Sequence, residues 1–328
     1  MSSTSVCDKI SWYYNVLVFL VRWLIRNYTI GYSDSIACLN GKTAIVTGGN
    51  AGIGYAITTL LASRGCRVII ACRSECSTEK NEIIAKTGNP NILIKKLDLA
   101  SIKSVRSFAE EIKKTESKID ILVNNAGASS VREKFSEDGL NALMHTNYFG
   151  SFLLTHLLVE PLKASANARV VFTSSILSGI QQVTTGSINP REISKFWSGL
   201  INYSNSKFLN TLAGQEFAKR MRKYNINVNT ADTGSVRSEI FKKANAVHPS
   251  FPMRVLSFLA FILSRDTHEG AQTSFHLATS EKLKEETGQL YFRCKPFPKA
   301  SILNNQEFCD EIWRRSEELV KLKPQERL

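Results

Sequence analysis

Short apolar, β-branched runs alternate along this chain with longer segments whose apolar residues recur every three or four positions. Thr43–Thr47 reads as a buried strand, and the segment after Gly48, Gly52 and Gly54, with Ile53, Ile57, Leu60 and Leu61 at helical spacing, reads as a helix. Arg67–Ala71 predicts a second strand and Glu75–Ala85 a helix. Ile92–Leu97 predicts a third strand, and Ser101–Lys114 a helix capped by Ser101. Asp120–Val123, Arg169–Thr173, Ile226–Thr230 and Leu290–Phe292 predict four more strands, with long helices over Asp138–Val159 and Ile201–Arg222. This rhythm implies an α/β domain, a doubly wound parallel sheet with helices on both faces. In such sheets ligands bind outside the carboxyl ends of the strands. Those ends carry the glycine turn, Arg73, Asp98, Asn125, Ser175 and Gly234.

Two apolar stretches stand outside the rhythm. Trp12–Ile25 is shorter than the ~20 residues a helix needs to span a bilayer, and Arg22 interrupts it. On a helix, Ser11, Asn15, Arg22, Arg26 and Thr29 share one narrow stripe. An N-terminal apolar helix over this segment is expected to lie on the membrane, or to span it with snorkelling arginines; docking on the domain is the alternative. Arg22, Arg26 and Lys42 follow the run, which points the domain to the cytosol, with the endoplasmic reticulum as the expected membrane. The second stretch, Phe251–Leu263, is flanked by Arg237, Lys242, Lys243, Arg254 and Arg265 and reads as either a core helix or an apolar lid. The expected division is a membrane-associating segment at 1–39, a catalytic domain at 40–300 with its lid at 237–265, and a helical extension at 301–328.

Composition narrows the partners. The chain has 328 residues, 43% of them hydrophobic, enough for one large domain. The net charge of +13 raises nucleic acid as a partner, but the basic residues are scattered and no nucleic-acid-binding motif appears. A phosphorylated cofactor and an anionic membrane surface fit the charge better. Seven cysteines without a Cys-x-x-Cys pair argue against a metal centre or a disulfide framework and fit a reducing compartment.

The chemistry concentrates at three places. The turn from Gly48 through Gly49, Asn50, Ala51, Gly52 and Ile53 to Gly54, set between strand and helix, makes a dinucleotide site: its backbone can approach a pyrophosphate held on the helix N-terminus. About 20 residues on, where enzymes using NAD place an acid for the ribose 2′-hydroxyl, the chain has Ala71, Cys72 and Arg73. Arg73 suits a 2′-phosphate, so NADP(H) is the expected cofactor. Tyr203 and Lys207 lie four apart on one helix face, and a nearby ammonium is expected to lower the tyrosine pKa for proton exchange with an alcohol or carbonyl oxygen. Ser175 follows strand five, where its hydroxyl can bond the substrate oxygen; its neighbour Ser174 reads as structural. Asn147, polar within an apolar helix, needs partners.

Together Gly48/Gly52/Gly54, Asp98, Asn125-Ala126-Gly127, Asn147, Ser175 and Tyr203/Lys207 resemble the short-chain dehydrogenase/reductase family in order and spacing. Ile70-Ala71-Cys72-Arg73, Leu97-Asp98-Leu99-Ala100-Ser101, Glu269-Gly270-Ala271-Gln272-Thr273 and the long interval from Ser175 to Tyr203 resemble its retinol dehydrogenase branch. The resemblance runs from Asn40 to the C-terminus and implies a single Rossmann domain. It also implies Tyr203 as acid/base, Lys207 on the nicotinamide ribose, Ser175 on the substrate and Asn147 holding a water in the proton relay. Asp98 and Leu99 would sit at the adenine, and Asn125, Ala126, Gly127, Gly234 and Val236 would line the cofactor. One departure stands out: the family has Pro-Gly after strand six where this chain has Asp232-Thr233-Gly234-Ser235-Val236, which predicts a softer loop. The expected activity is NADP(H)-dependent interconversion of an apolar, retinoid-like alcohol and its carbonyl, run as a reduction. A steroid or isoprenoid reductase, or a weakly active NADP-binding membrane scaffold, is the alternative, and a homodimer is left open.

Overall fold

A computed structural model of the protein describes residues 31–129, 131, 133–190, 198–234, 236 and 265–328. The N-terminal apolar stretch and nearly all of the proposed lid lie outside the described residues. Among those described, no helix is long and apolar enough to cross a membrane.

The strands are β1 (Thr43–Thr47), β2 (Arg67–Cys72), β3 (Ile92–Lys96), β4 (Ile121–Asn124), β5 (Ala168–Ser174), β6 (Ile226–Asp232), β7 (Leu290–Phe292) and β8 (Lys295–Phe297). They form one sheet in the order β3-β2-β1-β4-β5-β6-β7-β8. The first seven run parallel and β8 returns antiparallel on β7. β1 pairs with β2 on one side and β4 on the other, Val46 facing Ile70 and Val123. Strand order reverses there, so chain leaving β1 and β4 diverges and opens a crevice.

The central strands β1, β2, β4 and β5 are almost wholly buried because both sheet faces are covered there. Ile45, Ile69, Leu122, Val170 and Phe172 point into one core layer. This layer is shared with α3 (Ile102–Thr115), the helix over 142–157 called α4, α5 (Val159–Lys163), α6 (Ser198–Met221) and α8 (Gln306–Leu319). Ala44, Val46, Val68, Ile70 and Val123 point to the opposite layer, against α1 (Gly52–Ala62), α2 (Ser77–Thr87) and α7 (Thr267–Thr279). The C-terminal helix α8 belongs to the first core, burying Cys309, Ile312 and Trp313, and Tyr148 Oη meets Ser316 Oγ at 2.8 Å.

Three features differ from the sequence reading. The helix expected over Asp138–Val159 starts at Ala142, where the Asn141 side chain accepts from Met144 N. It passes through a π-helical turn at His145–Phe149 and stops at Leu157. The helix expected from Glu75 starts at Ser77 and ends on Gly88, whose φ of 69° provides the left-handed cap. Strand β8 was not anticipated at all.

Candidate active site

At the end of β1 the chain turns through Gly48 (φ 64°) and Gly52 (φ 55°) into α1. Ala51 occupies the N-cap and has no side chain to accept from the first N–H groups of the helix. Those donors therefore face the crevice, as an anion site requires. A Cβ at Gly54 would lie 2.1 Å from Gly48 O and 2.5 Å from Asn125 Nδ2, so only glycine permits this close packing. Gly49 turns inward instead, and its Cβ would meet Thr58 Oγ1 at 2.7 Å.

Thr47, fully buried, ties this turn to the end of β4. Its hydroxyl accepts from Asn125 N (2.9 Å) and Ala126 N (3.0 Å) and donates to Val123 O (3.3 Å). Asn125 Nδ2 donates back to Thr47 O at 3.0 Å. The Asn125 side chain is thus a strut between strands. Asp98 is also braced: its carboxylate accepts from Ala100 N (2.9 Å), and its own N–H donates to Ser104 Oγ (2.9 Å).

The crevice is a cleft of about 580 Å³. Gly48, Asn50, Ala51, Gly52, Ile53 and Gly54 line one wall, Arg73, Asp98 and Leu99 one end, and Asn125, Ala126, Gly127, Tyr203 and Lys207 the floor and other end. Arg73 is exposed at the carboxyl end of β2, followed by Ser74. Among the described lining residues no acid occupies the position next to Arg73 on β2. A helix terminus without a side-chain cap, a glycine cradle with no room for a Cβ and an arginine at the far end fit a phosphorylated dinucleotide.

Asn147 and Ser175 stand one layer behind the cleft. Asn147 is wholly buried, and its side chain is fully engaged by protein. Oδ1 accepts from Ala128 N (2.7 Å), and Nδ2 donates to Ala128 O (2.8 Å) and Ser206 Oγ (3.0 Å). Ser206 in turn donates to Tyr203 O at 2.7 Å. Asn210 Nδ2, one turn beyond Lys207, bridges Asn147 O and Thr173 O, each at 3.0 Å. Lys207 Nζ donates to the same Thr173 carbonyl at 3.3 Å. The π turn carries Asn147 to this junction, in keeping with the use of such bulges at functional sites. Ser174 donates to Lys207 O (2.8 Å) and accepts from Thr211 Oγ1 (3.1 Å), and of the two serines it is the one that lines the cleft. Thr47, Thr173, Ser206 and Asn210 were missed by the sequence reading; the one available signal was a polar residue, such as Asn210, on the buried face of an otherwise regular helix.

Electrostatics contradicts one expectation. Tyr203 is not driven toward phenolate: burial pushes its pKa up to about 12, against the lowering effect of a hydrogen bond with Ser175, and the Asp232 carboxylate pushes the same way as burial. Lys207 Nζ lies 5.8 Å from the Tyr203 ring centroid. Burial, not the neighbouring ammonium, sets the direction of the shift. Lys207 is itself lowered to about 8 by burial, partly offset by Asp232. The resting pair at neutral pH is a neutral phenol beside an ammonium held at a desolvation cost.

The start of the loop after β6 is tied by a side chain. Asp232, 3% exposed, accepts from Gly234 N through Oδ1 at 2.8 Å and closes the turn in which Gly234 has φ 70°. Thr233 lines the cleft, while Val236 is buried and packs near Gly270 of α7, where an added Cβ would meet Val236 Cγ2 at 2.5 Å.

The chain has relatives among known proteins. A family model described as short chain dehydrogenase matches residues 42–248. Human retinol dehydrogenase 11 is 34% identical over 297 residues, covering 89% of this chain and 90% of its own length. Mouse retinol dehydrogenase 12 is 36% identical over 307 residues (93% and 94%), and mouse retinol dehydrogenase 13 is 33% identical over 302 residues (91% and 90%). Among solved structures, an uncharacterized Mycobacterium paratuberculosis protein has a TM-score of 0.68 at 24% identity, covering 89% of this chain and 98% of that one. The Pseudomonas aeruginosa RhlG/NADP active-site complex has a TM-score of 0.59 at 24% identity (77% and 95%). At those identities the two structures attest the fold alone, whereas the family model and the sequence relatives establish membership: this chain belongs to the short-chain dehydrogenase/reductase family, in its retinol dehydrogenase-like branch.

Proposed function

We propose that the protein reduces an apolar, retinoid-like aldehyde or ketone to the alcohol with NADPH. The observation that carries this reading is that Tyr203 and Lys207 share one cleft with Arg73, at a strand end where NAD enzymes place an acid. Relatives named retinol dehydrogenases support the substrate class. In the proposed complex the glycine turn and the N-terminus of α1 hold the pyrophosphate, Arg73 the 2′-phosphate, Asp98 and Leu99 the adenine end, and Lys207 the nicotinamide ribose. The nicotinamide, when bound, supplies the hydride.

The chain's own residues supply the proton and the geometry. Ser175 caps the 3₁₀ turn Ile176–Ile180, accepting from Leu177 N at 3.3 Å, and its hydroxyl, whose interaction with Tyr203 lowers the tyrosine pKa, would turn toward the cleft to share the substrate oxygen. Tyr203 keeps its proton at neutral pH and gives it to the oxygen as negative charge develops there, so its raised pKa serves reduction. The ammonium of Lys207 and the Ser175 hydroxyl stabilise the phenolate left behind, and Asn147 and Asn210 hold Lys207 and Thr173 in register. The membrane-associating segment at 1–39 and the lid at 237–265 belong to the same proposal: an apolar substrate is drawn from lipid at the cytosolic face of the endoplasmic reticulum.

The full-length protein in phospholipid vesicles should turn over retinal with NADPH much faster than with NADH, and faster than it turns over a short polar aldehyde. Preference for a small polar carbonyl would overturn the substrate reading. Equal use of the two cofactors would overturn the role of Arg73.

A further inference from the structure

At the adenosine end of the cleft two thiols meet. Cys72 Sγ and Cys76 Sγ are 3.3 Å apart, and Cys72 Sγ lies 3.2 Å from Ser74 O. Cys72 closes β2 and lines the cleft; Cys76 is the N-cap residue of α2 and does not. The chain between them is Arg73-Ser74-Glu75, and Arg73 and Ser74 both line the cleft. Cysteines four apart rarely bring their sulfurs into contact unless the backbone turns sharply, and here the bend from strand to helix does this. Closing the remaining gap to a bonded ~2.05 Å needs a movement of about 1 Å.

We propose that Cys72 and Cys76 are a dithiol modification site, oxidised to a disulfide by hydroperoxides, and that the disulfide weakens cofactor binding by displacing the turn that carries Arg73. The chemistry is balanced. The Cys72 thiolate attacks one oxygen of the hydroperoxide, the O–O bond breaks, and a sulfenic acid forms with release of water or an alcohol. Cys76 then attacks the sulfenic sulfur, the S–S bond forms, and the hydroxyl leaves as water. The two sulfurs together lose two electrons to the peroxide, and an external dithiol returns them. Cys72 reacts first because it alone of the pair borders the cleft, so a bound cofactor covers the entry route.

Burial raises both thiol pKa values, that of Cys76 to about 12. The thiolate is the reacting form, so oxidation is slow at neutral pH and accelerates roughly tenfold per pH unit below the thiol pKa. The pair therefore responds to sustained peroxide rather than to brief exposure. Of the other described cysteines, Cys38 is exposed and gives an internal measure of peroxide dose.

The consequence for affinity rests on the proposed contact between Arg73 and the cofactor; the oxidation itself does not. The test treats the full-length protein with hydrogen peroxide, blocks free thiols by alkylation and digests with trypsin. Cleavage after Arg73 separates Val68–Arg73 from Ser74–Lys80, so a disulfide appears as these two peptides linked. The expected results are that linked pair, slower linking with NADPH present, and NADPH binding weakened ~10-fold or more, as for loss of one charge-assisted contact. Dithiothreitol should restore affinity. Cys76→Ser should bind NADPH normally before peroxide and form no linked pair after it. The inference is overturned if Cys38 is oxidised while Cys72 and Cys76 remain separately alkylated, or if the linked pair forms with NADPH affinity unchanged. Should Arg73→Asp leave NADPH binding intact while the linked pair still weakens it, the Arg73 reading fails and the dithiol site stands.

Discussion

Replacing Lys207 with methionine should stabilise the fold at neutral pH while abolishing turnover. Lys207 is 5% exposed, its ammonium has one weak acceptor among the described residues, Thr173 O at 3.3 Å, and its pKa falls from 10.5 to about 8. Holding the charge in that site costs roughly 3 kcal/mol at pH 7. Methionine fills the same volume without the charge and gives up only the long hydrogen bond, worth about 1 kcal/mol. The net gain is about 2 kcal/mol, or several degrees in Tm. The pH dependence distinguishes this origin from better packing. Below pH 8 the lysine is charged in both states and the fold bears the whole penalty. Between about 8 and 10.5 the folded state has lost the proton that the unfolded state keeps. The unfolded state then binds more protons, so wild-type stability rises with pH across that window. The gap between wild type and Lys207→Met should therefore close from pH 7.5 to 10, as read by urea unfolding at each pH. A variant less stable than wild type, or a gap indifferent to pH, would refute the desolvation argument.

Tyr203→Phe should cut turnover ~10²-fold or more while leaving NADPH binding intact, as measured by single-turnover kinetics and fluorescence titration. Arg73→Asp should weaken NADPH by about 1.5–3 kcal/mol and leave NADH little changed or improved, as measured by calorimetry. Gly54→Ala places a methyl 2.1 Å from Gly48 O, and the forced shift of the turn should cost ~1–3 kcal/mol in stability and most of the cofactor affinity. Normal NADPH binding by that variant would show that the glycine turn does not hold the cofactor.

The sheet was legible because its central strands are short, largely apolar runs buried on both faces, and the loops at their carboxyl ends carry residues whose identities speak for themselves. The glycine turn, Arg73, Tyr203 and Lys207 all came together in one cleft as the alternation of strands and helices implied. The π turn at His145–Phe149 was hidden because that helix is buried on every side, so its apolar pattern has no phase to slip. Strand β8 was hidden because its hairpin turns on Arg293 (φ 53°) and Cys294 (φ 59°), where such turns ordinarily use Asn-Gly. The direction of the Tyr203 shift was misjudged for a similar reason. Sequence spacing gives the neighbour's charge but not the depth of burial, and burial dominates here. After β6, likewise, the sequence does not reveal that the Asp232 carboxylate bonds Gly234 N.

The most direct test of the central claim is hydride transfer itself. NADPH deuterated at C4 on its transferable face, incubated with the full-length protein and retinal, should yield retinol carrying one deuterium at the former aldehyde carbon, detected by mass spectrometry, with none formed by Tyr203→Phe on the same timescale. Retinol without deuterium, or label transferred equally well by Tyr203→Phe, would contradict the account.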